Sequence, residues 1–269
     1  MPADSFFLLA ASLVGLAVGS FLNVLIHRLP RMIEQAMLPP DTEPARALNL
    51  AFPSSHCPAC LHPIAWHDNV PLLGFVLLRG RCRHCGTAIS WQYPLVELAT
   101  AALFVWAWLA HGNTPSAIAW AGFAATLLAL AVIDARTTWL PDALTQPLTW
   151  AGLIASALGW TGVGLDAAVA GAVAGYLSLW LVYWSYRLCT GQEGMGHGDF
   201  KLMAALGAWF GWQALLAVLL MASLSALAFA LWQLQRRRLA ANRAIAFGPF
   251  LALAGGWLMF FGAPAPLRW

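Results

Sequence analysis

The sequence predicts an all-α polytopic membrane protein of about eight transmembrane helices, with one small cytoplasmic loop domain. Three observations lead there. Of 269 residues, 61% are hydrophobic and only 9% are charged, where soluble domains carry roughly 25% charge, and the mean hydropathy is +0.70. The apolar residues gather into segments near the ~20 residues that cross ~30 Å of hydrocarbon. The basic residues, thirteen Arg and one Lys, then fall almost wholly on one side of the bilayer. This composition excludes an ordinary soluble enzyme, a disordered chain and a small disulfide scaffold.

The first segment, Ser5 to Ile26, has no ionisable side chain and follows Asp4. It lacks the basic start of a signal peptide and reads as a retained span over 1–26. Residues 27–93 break the pattern, holding ten of the 25 charges, five of the seven His and four of the five Cys. They form the loop domain. Residues 94–269 form a seven-helix membrane domain, with apolar stretches at about 94–110, 116–133, 143–160, 166–186, 201–233 and 244–262. The stretch 201–233 would run about 50 Å as one helix. Its interior Gly207-Ala208-Trp209-Phe210-Gly211-Trp212 suits a tight turn at a membrane edge, so it is read as two helices.

Charge supports eight spans. With 27–93 in the cytoplasm, Arg28, Arg31, Arg46, Arg79, Arg81, Arg83, Arg136, Arg187, Lys201, Arg236, Arg237, Arg238 and Arg243 lie inside and only Arg268 lies outside. Seven spans degrade this partition from thirteen to one to ten to four. Both termini are then periplasmic. The net charge of +3 reflects orientation and gives no reason to expect nucleic acid as a partner.

Cys57-Pro58-Ala59-Cys60 and Cys82-Arg83-His84-Cys85 are two CxxC knuckles separated by 21 residues. Four thiolates in two such pairs can close a tetrahedron around zinc. Disulfides are the alternative, but a cytosolic loop lies in a reducing compartment. A loop this polar also needs a metal to hold it together. A four-Cys shell has no open position, so the zinc is structural. His56, His62, His67 and His84 are surplus to it, and Cys189 has no partner spacing.

Intramembrane carboxylates are functional candidates. Asp134 ends the third span and Asp199 opens the sixth, 65 residues apart but on the same cytoplasmic boundary. Two neighbouring carboxylates can share one proton, one acting as a base towards water while the other donates to a carbonyl. The glycines at 194, 196 and 198 would let backbone pack closely beside Asp199. Other readings stand beside this one. Asp199 could cap its helix, Asp134 could pair with Arg136, and both could carry protons or ions in a transporter or channel. Asp142 reads as the N-cap of the fourth span, and Glu97 as an anion in the first turn of the second, favoured by the helix dipole.

Taken together, these motifs resemble the bacterial type IV prepilin peptidases, membrane aspartic proteases of the GxGD type that are also leader peptidase/N-methyltransferases. The resemblance rests on Gly19-Ser20-Phe21-Leu22-Asn23 through Pro30, the cysteine tetrad, and Trp66-His67-Asp68-Asn69-Val70-Pro71. Tyr93-Pro94-Leu95-Val96-Glu97-Leu98, the run from Asp134 to Pro141-Asp142, and Gly196-His197-Gly198-Asp199-Phe200-Lys201 complete it. It implies that Asp134 and Asp199 are the catalytic pair. It implies as substrates the precursors of type IV pilins and type II secretion pseudopilins, cut after a glycine at the cytoplasmic face of the inner membrane. The exposed N-terminus is then methylated from S-adenosylmethionine, an activity associated with the zinc-binding cysteine loop. The methyl-donor residues are not marked by any motif. Asn23, His27, Arg79 and Arg81 are candidates, and Lys201 could orient the aspartates or simply anchor its helix at the interface.

Overall fold

The computed structural model describes residues 2–38, 48–192, 194–236 and 245–262. Arg46, Arg237, Arg238, Arg243 and Arg268, used in the charge partition, lie outside the described residues. Nine α-helices appear among those described: α1 Pro2–Ala36, α2 Leu73–Leu77, α3 Gln92–His111, α4 Pro115–Thr137, α5 Asp142–Ala157, α6 Leu165–Thr190, α7 His197–Phe210, α8 Leu215–Gln235 and α9 Gly248–Phe261. All but α2 have 14 or more residues. Five stretches are long and apolar enough to cross a membrane, Ser5–Ala36, Gln92–His111, Pro115–Thr137, Leu165–Thr190 and Trp212–Gln235, and Gly248–Phe261 is a shorter apolar helix. The chain is an all-α membrane protein. Its helix α1 continues ten residues past 26 to Ala36, with Pro30 inside it.

The chain divides into two compact units, Met1–Ala125 and Thr126–Trp269, with the division inside α4. In the first unit α1 packs on α3. A Cβ on Gly15 would lie 2.6 Å from the Ala101 Cα, and one on Gly19 would lie 2.7 Å from the Glu97 Cα. Only hydrogen at these positions allows such an approach, the usual device where lipid gives no hydrophobic drive between helices. Asn23 closes the polar end of the seam. It is buried, donates to the Tyr93 carbonyl at 3.1 Å and accepts from Gln92 Nε2 at 3.3 Å.

In the second unit α7 is the central helix, buried from Asp199 to Trp209 except at Lys201. Its fourteen residues span about 21 Å, and this burial means that protein surrounds most of α7. Backbones of α6 and α7 meet at Gly171 and Gly207, and Trp209 Nε1 donates to the Leu148 carbonyl of α5 at 2.9 Å. The break expected within 201–233 falls at Gly211, whose φ of +78° suits glycine. A short 3-10 turn, Trp212–Ala214, leads into α8.

Candidate active site and metal centre

Asp134 lies in the last turn of α4, three residues before its end at Thr137. It is 4% exposed, and its Oδ2 accepts the Gly248 amide at the start of α9 at 2.9 Å. This backbone amide is its partner, not Arg136. Asp199 sits in the first turn of α7 and is 7% exposed. The N-cap of α7 is Gly196 rather than Asp199. Both carboxylates lie in the second unit, and each adjoins a glycine that packs on Leu140.

Leu140 connects the two surroundings. A Cβ on Gly248 would lie 2.7 Å from Asp134 Oδ2 and 3.1 Å from Leu140 Cδ1, and one on Gly198 would lie 2.6 Å from the Leu140 Cβ. Gly194 likewise abuts the Tyr186 ring. None of Gly194, Gly196 and Gly198 has a positive φ, so at 194 and 198 glycine serves close approach rather than unusual dihedrals. Sequence reasoning missed Gly248 and Leu140. Both act through the backbone or through bulk, which no local motif records.

Two expectations are corrected beside the pair. Asp142 is not the N-cap of α5. Pro141 holds that position in an extended conformation, and Asp142 is in the first turn. Its carboxylate takes Lys201 Nζ at 2.6 and 2.7 Å. Lys201 therefore ties α7 to the start of α5. Glu97 is also not in a first turn. Because α3 begins at Gln92, Glu97 is its sixth residue, 7% exposed, and it accepts the Leu72 amide at 2.8 Å.

In the first unit, the four cysteines meet. Their sulfurs all lie within 4.8 Å of one another, and Cys57 Sγ is 3.8 Å from Cys85 Sγ. Zinc–sulfur bonds of about 2.3 Å give a tetrahedral edge of about 3.8 Å, so the sulfurs fit the ion. The knuckles share one design. The Leu61 amide donates to the Cys57 carbonyl at 2.9 Å, and the Gly86 amide donates to the Cys82 carbonyl at 3.0 Å. Each turn needs a left-handed residue after its second cysteine, Leu61 at φ +58° and Gly86 at φ +71°. The Thr87 side chain, 3.3 Å from Cys85 Sγ, pulls that thiol down to about 6. This favours the thiolate that zinc requires.

Two clamps fix the loop. Arg83, inside the second knuckle, bonds Asp68 through Nε at 2.7 Å and Nη2 at 2.5 Å, and this guanidinium holds the Asp68 carboxyl below its ordinary range. Arg28, buried on α1, donates to the carbonyls of Asn49 at 2.9 Å and Pro53 at 2.6 Å. Of the suggested methyl-donor residues, Asn23 is buried in the α1–α3 seam, His27 lies 3.4 Å from Arg31, and Arg79 and Arg81 are exposed.

Fold and site together define a polytopic membrane protein with a buried aspartate pair in one unit and a four-cysteine loop in the other. Residues 13–111 match the bacterial peptidase A24 N-terminal domain, and residues 121–231 match the type IV leader peptidase family. The chain is 48% identical over 265 residues to a prepilin leader peptidase/N-methyltransferase of Burkholderia pseudomallei, covering 94% of this chain and 85% of that one. A protein of the same name from Klebsiella pneumoniae is 56% identical over 211 residues, covering 78% and 88%. Another from Pseudomonas aeruginosa is 46% identical over 264 residues, covering 95% and 91%. No solved structure matches. The chain belongs to the type IV leader peptidase family.

Proposed function

We propose that this chain cuts the leader from type IV prepilins and type II secretion pseudopilins at the cytoplasmic face of the bacterial inner membrane, and then methylates the new N-terminus. The family and the names of its relatives make it a protease with N-methyltransferase activity. The transporter reading finds no counterpart among those names. One observation carries the peptidase chemistry: Asp134 and Asp199 are buried in one unit, each beside a glycine that packs on Leu140.

With one proton between them, one carboxylate draws a proton from water as the water attacks the peptide carbonyl. The other donates to the carbonyl oxygen. Gly248 fixes Oδ2 of Asp134, which leaves Oδ1 for this work. Cys57, Cys60, Cys82 and Cys85 hold a structural zinc ion that orders residues 27–93 in the cytoplasm. Residues 1–26 form the first span and 94–269 the membrane peptidase domain, with both termini periplasmic and lipid around the helices. S-adenosylmethionine supplies the methyl group when bound.

The test incubates purified protein with a prepilin substrate in detergent. Leader cleavage is expected from the unaltered chain and not from Asp134→Ala or Asp199→Ala. Retained cleavage in either variant overturns the assignment.

A further inference from the structure

Leu72 to Leu78 are seven apolar residues in a row, set in the loop that holds ten of the 25 charges. Helix α2 lies within this run, and its two faces meet different surroundings. On one side Gly74 is buried against the Asp68 carbonyl, and the Phe75 ring packs on Trp91 with centroids 5.0 Å apart. On the other side Leu73, Val76 and Leu77, spaced three and four apart, share one face. They are 59%, 67% and 75% exposed. A helix that is apolar all round calls for an apolar surrounding on every side, and the protein covers only one side of α2.

Helix α3 gives the depth at which α2 lies. Its twenty residues run about 30 Å, the thickness of the hydrocarbon. Exposed Trp91 immediately precedes Gln92, its first residue, at the headgroup level that tryptophan favours. Glu97 lies about 7.5 Å along the axis from Gln92, and it takes the amide of Leu72, the N-cap of α2, at 2.8 Å. This bond holds the start of α2 beside the first turns of the span and not above it. In-plane helices bury their apolar face by roughly 5–10 Å, at the boundary of headgroups and acyl chains, which is the same level.

Charge follows directly. The Gly80 amide returns to the Phe75 carbonyl at 2.9 Å and the Arg79 amide to the Val76 carbonyl at 3.0 Å. This is a Schellman turn, with Arg79 at φ +50° in the left-handed position that glycine usually fills. Arg79 and Arg81 are exposed just past the apolar face, whereas Arg83 is engaged by Asp68. Guanidinium groups make paired hydrogen bonds to phosphate.

We propose that α2 lies in the plane of the membrane. Leu73, Val76 and Leu77 enter the acyl chains of the leaflet at the start of α3, and Arg79 and Arg81 meet phospholipid phosphates. The second cysteine knuckle, which begins at Cys82, is thereby seated on lipid. That this leaflet is the cytoplasmic one rests on the orientation proposed above.

The test places the photoreactive residue benzoylphenylalanine at position 76 of the full zinc-loaded chain, in nanodiscs of phosphatidylethanolamine and phosphatidylglycerol. Illumination is expected to give an adduct with the mass of a phospholipid. Its yield should be at least tenfold that from the same residue placed at Ala59, which is exposed in the first knuckle. Arg79→Gln and Arg81→Gln together are expected to lower the yield at position 76 at least threefold. No lipid adduct at 76, or equal yields at 76 and 59, overturns the proposal. A yield that the double substitution leaves unchanged overturns the phosphate contact. A prepilin peptide that displaces the lipid adduct and forms its own also overturns the proposal, since the face would then belong to substrate. If the position-76 variant loses its zinc, position 77 on the same face decides by the same criteria. The readout needs neither cleavage nor methylation, so its failure is distinct from a failure of the proposed function.

Discussion

The Gly248 amide donates to Asp134 across 114 positions of sequence, with N···Oδ2 at 2.9 Å. The first residue of α9 thereby sets the rotamer of a carboxylate on α4. The contact leaves no room for a side chain, since a Cβ would lie 2.7 Å from that oxygen. Gly248→Ala is expected to lower leader cleavage roughly 100-fold, because small misplacements of a catalytic group have costs of that order. Cleavage rates at saturating substrate, with zinc content as a control, check this. A rate within threefold of the unaltered chain would remove Gly248 from the positioning of Asp134.

Removing the charge without removing the shape separates the two activities. Asp134→Asn or Asp199→Asn is expected to lower cleavage by roughly 100- to 10,000-fold, the range for a lost general acid or base. Methylation of a peptide supplied already processed should persist, since the cysteine loop on which that activity is expected to depend lies in the other unit. Mass spectrometry of that peptide gives the answer.

Loss of zinc acts in the opposite sense. Cys57→Ser, Cys82→Ser or chelation is expected to reduce methylation more than cleavage, because the four cysteines lie in the first unit and the aspartates in the second. Equal loss of both activities would mean that the metal holds the whole chain together.

The Lys201–Asp142 pair is short at 2.6 Å, but its side chains are 30% and 55% exposed. Such pairs contribute about 0–1 kcal/mol. Asp142→Asn is therefore expected to shift the thermal midpoint little and to leave cleavage within about threefold. A large loss of activity would promote Lys201 from tether to participant in the chemistry.

Arg28 is a different case, because its bonds to loop carbonyls are partly buried. Arg28→Met leaves those carbonyls without a donor, at about 1–3 kcal/mol each where water cannot replace it. Faster proteolysis between residues 48 and 56 is expected, with helix content unchanged by circular dichroism.

Much of this was legible from local pattern. Gly207 and Gly211 announced the break between α7 and α8, and the CxxC spacing announced the sulfur cluster. Asp134 and Asp199 stood out because ionisable groups are scarce in apolar helices. The errors were about where helices begin. Gln92 and Tyr93 are more polar than the run that follows, so the apolar stretch begins at 94 although the helix begins at 92, and this moves Glu97 out of the first turn. Pro141 displaced Asp142 from the cap because its fixed φ suits the extended residue before the helix. The Leu72 and Gly248 contacts had no signature at all. A backbone amide is common to nearly every residue, and only the fold decides which one reaches a carboxylate.

The length of α1 has its own consequence. Thirty-five residues make a rod of about 52 Å, against ~30 Å of hydrocarbon. The surplus of about 20 Å is taken up by tilt or by helix beyond the lipid, and Arg28 gathers loop carbonyls near the far end of it. The first helix is thus a handle as well as a packing partner for α3. Any change in its tilt carries with it the chain held at Asn49 and Pro53.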